Sequence, residues 1–279
     1  MKQILVPIDF SVESDHALNF ACELARKNDS IVDVLNVFKA PESQKELSEF
    51  DQLTYIKQAN ELNWKRLTDY LSQKKFDDVQ IRMNQVEIAT SEKLVETIVS
   101  MVSKNQSDLI IMGNKPVSGF LEMVNDSIAA LVMKGVDIPF LSIKGFVNYD
   151  NINHILYTSE YQEDDGVKFE FVKLIADLFK AKIHFLYIDK SVYKDRLIEK
   201  EILLEMKQLI EKNKIDSYSL SIREGDDVDS EIDVYLNENP IDLVVVGYHG
   251  DRVEKHNNEG SIAEDFIHSQ KCPVLTIKH

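Results

Sequence analysis

The chain has 279 residues, enough for two domains of ordinary size that each bury a core. A formal net charge of -16 argues against nucleic acid as a partner, because neutralising phosphates takes a concentrated basic face; cut at residue 147, the first part carries 16 basic and 21 acidic residues (net -5) and the second 16 and 27 (net -11). No run of ~18 apolar residues could span a membrane, the opening MKQILVPIDFS meets an acidic residue too early for a secretory signal, and Cys22 and Cys272 make no disulfide framework, so the sequence predicts a soluble, unprocessed, cytoplasmic protein with packing thiols.

In chain order, residues 3–9 form a short apolar run that predicts a strand. Residues 14–27 carry Ala17, Leu18, Phe20, Ala21, Leu24 and Ala25 at helical spacing, with Ser11 or Ser14 as N-cap and Lys27-Asn28-Asp29 as the stop. A strand over 31–38 follows, then a long charged helical stretch from about residue 43 to 72, whose apolar residues, Trp64 among them, predict a layer covering a sheet. Next come a strand over 79–85, a helix over 91–102, an apolar strand over 108–112 that meets Gly113, a loop, a helix over 127–133 and a strand over 140–143.

The same order returns after Asn151. Residues 155–160 (ILYTSE) echo 4–9 (ILVPID), 242–247 (DLVVVG) echo 108–113 (DLIIMG), and 272–278 (CPVLTIK) echo 138–144 (IPFLSIK). The offset is 151 at the first strand and 134 at the last two, so the second copy is shorter by 17 residues, placed in the helix after its second strand. Strands alternating with helices, with almost wholly apolar inner strands, predict an α/β fold of two tandem Rossmann-like domains, each a five-stranded parallel sheet with helices on both faces. The expected domains are 1–147 and 148–279, paired by a pseudo-two-fold as an intramolecular pseudo-dimer.

The chemistry concentrates between Asp242 and Ser261, where a buried-looking strand ends in Gly247 and is followed by Gly250 and Gly260-Ser261. Glycines let a main chain wrap an anion with successive N–H groups and no Cβ in the way. Ser261 would open a helix over 262–269, whose free N–H groups favour a phosphate. These residues, with ILVPIDFS at the start and the closing Pro-Val-Leu-Thr-Ile strand, resemble the universal stress protein family over nearly the whole chain, as two tandem copies.

The resemblance implies a nucleotide held by Gly-x2-Gly-x9-Gly-Ser/Thr after the fourth strand, with an acidic residue after the first strand facing it. The second copy matches with Gly247, Gly250, Gly260 and Ser261, Glu160 is its acidic residue, and Ile188 at the end of its second strand is placed against adenine. The first copy keeps Asp9, Gly113 and Ser127 as a vestigial site, but Pro116 and Asp126 replace the second and third glycines and oppose an anion. Asp9 could equally cap the helix that follows it. The spacer 251–259 has Val253 as its only apolar residue, so it is expected to order on ligand binding.

The expected ligand is an adenine nucleotide: ATP first, with Mg2+ accompanying it, and AMP or ADP as alternatives. The expected role is a stress-response sensor or regulator. His249 and His256 lack a second cluster of Cys or His, the chain has neither a Walker lysine motif nor a Gly-x-Ser-x-Gly elbow, and no residue stands out as a catalytic base. The catalytic set is therefore empty, with slow ATP hydrolysis the most that the resemblance allows. A nucleotide-free scaffold acting through protein contacts is the alternative; the resemblance implies that the terminal strands 140–143 and 274–277 pair across a pseudo-dimer or homodimer interface, which would also cover their apolar edges.

Overall fold

Runs of β-branched and aliphatic residues at 3–8, 31–39 and 109–113 are buried on both faces, which is how strands of a helix-covered parallel sheet read. The computed structural model describes residues 1–39, 49–88, 90, 93–114, 127–145, 152–158, 165–189, 196–248 and 272–278. They divide into two compact units, Met1–Gly113 and Asn114–His279.

In the first unit the elements run β1 (Gln3–Ile8), α1 (Val12–Asn28), β2 (Ile31–Lys39), α2 (Glu49–Ser72), β3 (Ile81–Ile88), α3 (Lys93–Asn105) and β4 (Leu109–Gly113). The strands lie side by side in the order β3-β2-β1-β4, every neighbouring pair parallel. Helix α1 starts at a capping box in which the Ser11 hydroxyl accepts from the Ser14 N–H and the Ser14 hydroxyl from the Ser11 N–H. It stops at Asp29, which is left-handed at φ 52°. Of the two N-cap candidates in the sequence, Ser11 is the cap. Helix α2 covers 49–72 of the predicted stretch, whose first residues lie outside the described ones, and its packing differs from expectation: Leu67 is fully buried, whereas Leu62 is 70% and Trp64 42% exposed. Trp64 does not complete the covering layer.

In the second unit α4 (Ile128–Gly135) and β5 (Phe140–Ile143) precede β6 (His154–Thr158), α5 (Asp165–Phe179), β7 (Lys182–Asp189), α6 (Arg196–Asn213), β8 (Tyr218–Glu224), α7 (Val228–Glu238), β9 (Leu243–Tyr248) and β10 (Val274–Lys278). Strand order is β5-β10-β9-β6-β7-β8. The five strands of the second repeat are all parallel, and β10 pairs antiparallel with β5 through Val274 with Ser142, Leu275 with Leu141 and Thr276 with Phe140. The last strand of each repeat therefore pairs with the last strand of the other, and α4 and β5 of the first repeat belong to the second compact unit. Tyr157, Phe169 and Phe185 form the aromatic centre of this unit, with ring centroids 5.0 to 5.8 Å apart. Among the described residues no helix is long and apolar enough to cross a membrane. The chain is thus two tandem Rossmann-like α/β repeats.

Candidate functional site

A doubly wound sheet opens a crevice where adjacent strands send their connections to opposite sides, beyond the carboxyl ends of those strands. In the second repeat that point lies between β6 and β9. Thr158, the last residue of β6, is in register with Val246 of β9, and its hydroxyl donates to the Val245 carbonyl at 3.2 Å. Gly247 is the next residue along β9, half-buried and in register with Ile277 of β10. On the other side of β6, Thr158 is in register with Leu186, so Ile188 lies two residues beyond the end of that pairing and is half-buried. The fold thus brings Gly247 and Ile188 to the carboxyl ends of strands that flank β6 on its two sides. Gly250, Gly260, Ser261 and Glu160, and the helix expected over 262–269, lie outside the described residues.

In the first repeat the corresponding residues are engaged in local structure. The Asp9 carboxylate accepts from the Ser11 N–H at 3.1 Å and from the Ser11 hydroxyl at 2.5 Å. Asp9 thus steadies the N-cap of α1 instead of forming it, and Phe10 between them takes a left-handed φ of 63°. Ser127 is the N-cap of α4, its hydroxyl accepting from the Ala130 N–H at 3.2 Å. Gly113 faces the first turn of α1. A Cβ there would stand 2.4 Å from the Glu13 carbonyl carbon and 2.6 Å from the Ser14 nitrogen, so main-chain packing alone requires a glycine. Pro116 and Asp126 lie outside the described residues.

Two side-chain clusters near these strand ends escaped the sequence reading. Asn36, buried on β2, donates to the Ile8 carbonyl at 2.8 Å and accepts from Asn63 of α2 at 2.6 Å. Asn63 also donates to Gln85, and Gln85 donates to Asn60, which tethers α2 to the carboxyl ends of β1, β2 and β3. The visible signal was Asn36 itself, a polar residue inside the apolar run VLNVF. Beside this lattice a shallow cavity of about 470 Å³ is lined by Asn60, Glu61, Trp64, Lys65 and Gln85.

The second cluster joins α1 to α2. Asp15 accepts from Tyr70 at 2.6 Å and pairs with Lys74, while the Arg66 guanidinium lies 4.0 Å over the Phe10 ring. Burial pushes the Asp15 carboxyl up, but hydrogen bonds from Lys74 and Tyr70 outweigh it and hold the group below its ordinary range.

Cys22 is fully buried, as a packing thiol should be, whereas Cys272 is half-buried. Burial pushes both Cys22 and Cys272 up to about 12, far from a nucleophilic thiolate. Among the described residues no group of three or more His, Cys, Asp or Glu could hold a metal ion.

Residues 1–144 and 169–278 match the model of the universal stress protein family. Among solved structures, the chain is similar to a universal stress protein from Archaeoglobus fulgidus DSM 4304, with 17% identity, 99% of this chain and 98% of that one covered, and a TM-score of 0.74. It is also similar to a functionally unknown protein from Pseudomonas aeruginosa PAO1, with 18% identity, 100% and 92% coverage and a TM-score of 0.68. A universal stress protein in complex with cAMP matches 46% of this chain and 98% of its own length at 18% identity and a TM-score of 0.39. Among curated proteins none matches. The two family segments together span most of the sequence, and the chain belongs to the universal stress protein family.

Proposed function

We propose that the second repeat, within a domain 148–279, binds an adenine nucleotide, ATP in the first place, and that the protein acts as a cytoplasmic stress-response regulator. One observation carries this reading: β9 delivers Gly247, the first residue of the intact Gly247, Gly250, Gly260, Ser261 array, to the carboxyl-end crevice beside β6. Backbone N–H groups of that array would hold the phosphates, Ser261 would add its hydroxyl, and Ile188 would pack on the adenine. Glu160, two residues past Thr158, would accept from ribose, and Mg2+ would arrive with the phosphates rather than on a protein cluster.

The first repeat, 1–147, has the complementary role. Its Asp9, Gly113 and Ser127 serve the caps and packing of α1 and α4, which supports a structural part rather than a second nucleotide site. A nucleotide-free scaffold is favoured by a different observation, the β5–β10 pairing, which satisfies within one chain the edges that would otherwise recruit a second copy as a homodimer. No residue is assigned a catalytic role. Equilibrium dialysis of the full chain against labelled ATP, with AMP, ADP and GTP as competitors, tests the reading. Saturable binding displaced by the adenine nucleotides and not by GTP supports it, and folded protein that retains no ATP removes it.

A further inference from the structure

On the side of the second repeat's sheet covered by α7, three polar side chains form a line. His154 Nδ1 of β6 is 3.0 Å from His184 Nε2 of β7, and His184 Nδ1 is 3.1 Å from the Tyr235 hydroxyl of α7. His184 and Tyr235 are buried and His154 is half-buried. The first repeat fills the same place differently. The register that sets His184 beside Leu156 and Ser219 sets Asp33 beside Leu5 and Arg82, and His154 corresponds to Gln3. There Arg82 donates to both Asp33 carboxylate oxygens at 2.7 Å and to the Gln3 side chain at 2.7 Å. One repeat thus has a guanidinium–carboxylate pair at this position, and the other has two imidazoles in ring-to-ring contact, the side chain on which proton-sensitive contacts are built.

Hydrogen counting shows what acid does to the second arrangement. With both rings neutral, the protons run in one direction along the line and every contact is a donor facing an acceptor. One added proton still fits, because the ring that takes it donates to the other. A second proton sets two N–H groups face to face at 3.0 Å. In the unfolded chain both rings take a proton near their ordinary value of about 6.5, so below that pH the unfolded state binds more protons than the fold and stability falls.

The neighbouring charges do not reverse this. Lys182 on the same strand opposes a positive His184. Arg223 of β8, over the Tyr235 ring at 5.1 Å, is itself paired with Glu231 and Glu238 of α7. The Asp242 carboxylate is taken by the backbone N–H groups of Asn153 and His154. Among the described residues the Ser219 hydroxyl has no hydrogen-bond partner.

We propose that His154, His184 and Tyr235 form a proton-sensitive clasp that loosens β6, β7 and α7 as the pH drops through the imidazole range, while the first unit, held by Arg82, Asp33 and Gln3 at the same position, does not respond. The inference is independent of nucleotide binding. Hydrogen exchange of the full chain, resolved by segment and corrected for intrinsic rates, tests it between pH 7.5 and 5.5. Protection over 154–158, 182–189 and 228–238 is expected to drop by up to about tenfold per pH unit, the change for one proton, with 3–8, 31–39 and 93–105 unchanged.

His184→Gln keeps a side chain that can donate and accept but cannot titrate, and it should flatten the response. In the wild type, NMR of the imidazole protons should show His184 neutral far below the ordinary range, down to about 4, because burial and the charges of Lys182 and His154 oppose its protonated form. Equal loss of protection in wild type and His184→Gln, or His184 titrating at an ordinary imidazole pH, overturns the proposal. If the variant does not fold, the wild-type titration decides alone.

Discussion

The Asp242 carboxylate accepts the backbone N–H of His154 at 2.9 Å, and Asp108 holds Gln3 at 3.0 Å in the same way. In each repeat an aspartate just before the fourth strand satisfies the open N–H groups at the start of the first, since Asp242 also takes the Asn153 N–H at 2.7 Å and Asp108 that of Lys2 at 2.5 Å. Replacing either by Ala leaves two main-chain donors without their partner. Because water can reach these largely exposed donors, each change should cost about 0.5–1.5 kcal/mol, read as a lower urea midpoint at unchanged slope.

Gly113→Ala puts a methyl group against main-chain atoms of Glu13 and Ser14 that cannot rotate away. The expected loss is about 1–3 kcal/mol or more in the first unit. ATP binding by folded protein should be unaffected, which dialysis of the purified variant checks.

Arg82→Ala strands the Asp33 carboxylate, which is only 1% exposed. The cost should be at or below the roughly 3–5 kcal/mol found when a buried pair loses one partner, because the Arg82 side chain is 45% exposed. Thermal denaturation compares it with Arg82→Met/Asp33→Leu, which removes both charges and should be closer to wild type.

Both thiols are held protonated by burial, at about 12. Alkylation of the native chain at pH 8 should therefore be much slower than that of a model thiol, and should reach the model rate in denaturant. A fast-reacting cysteine in the native chain would show that one of the two is not packed as described.

The order of elements along the chain was legible because each inner strand is an apolar run and the order repeats, so ILVPID, DLIIMG and IPFLSIK each have a second copy that confirms where a strand lies. Helix faces were harder to read. In α2 apolar residues occur at several phases, and periodicity alone did not show that Leu67 is buried while Leu62 and Trp64 face solvent. The Asp108 and Asp242 contacts were missed because a strand-initial aspartate reads as a boundary, although its recurrence in both copies was the available signal. His154 and His184 are thirty residues apart and carry no spacing signature; only the parallel register of β6 and β7 brings them together. Of the nucleotide array, the fold positions Gly247 and Ile188, while Gly250, Gly260, Ser261 and Glu160 rest on the motif.

The most direct test of a nucleotide site in the second repeat is calorimetric titration of ATP into the wild type and into a Gly250→Ala/Gly260→Ala variant. The glycine array predicts one site per chain in the wild type and at least a tenfold loss of affinity in the variant, since two Cβ atoms then crowd the phosphates. Folded wild type that binds no ATP, or binding that survives the double change undiminished, would contradict it.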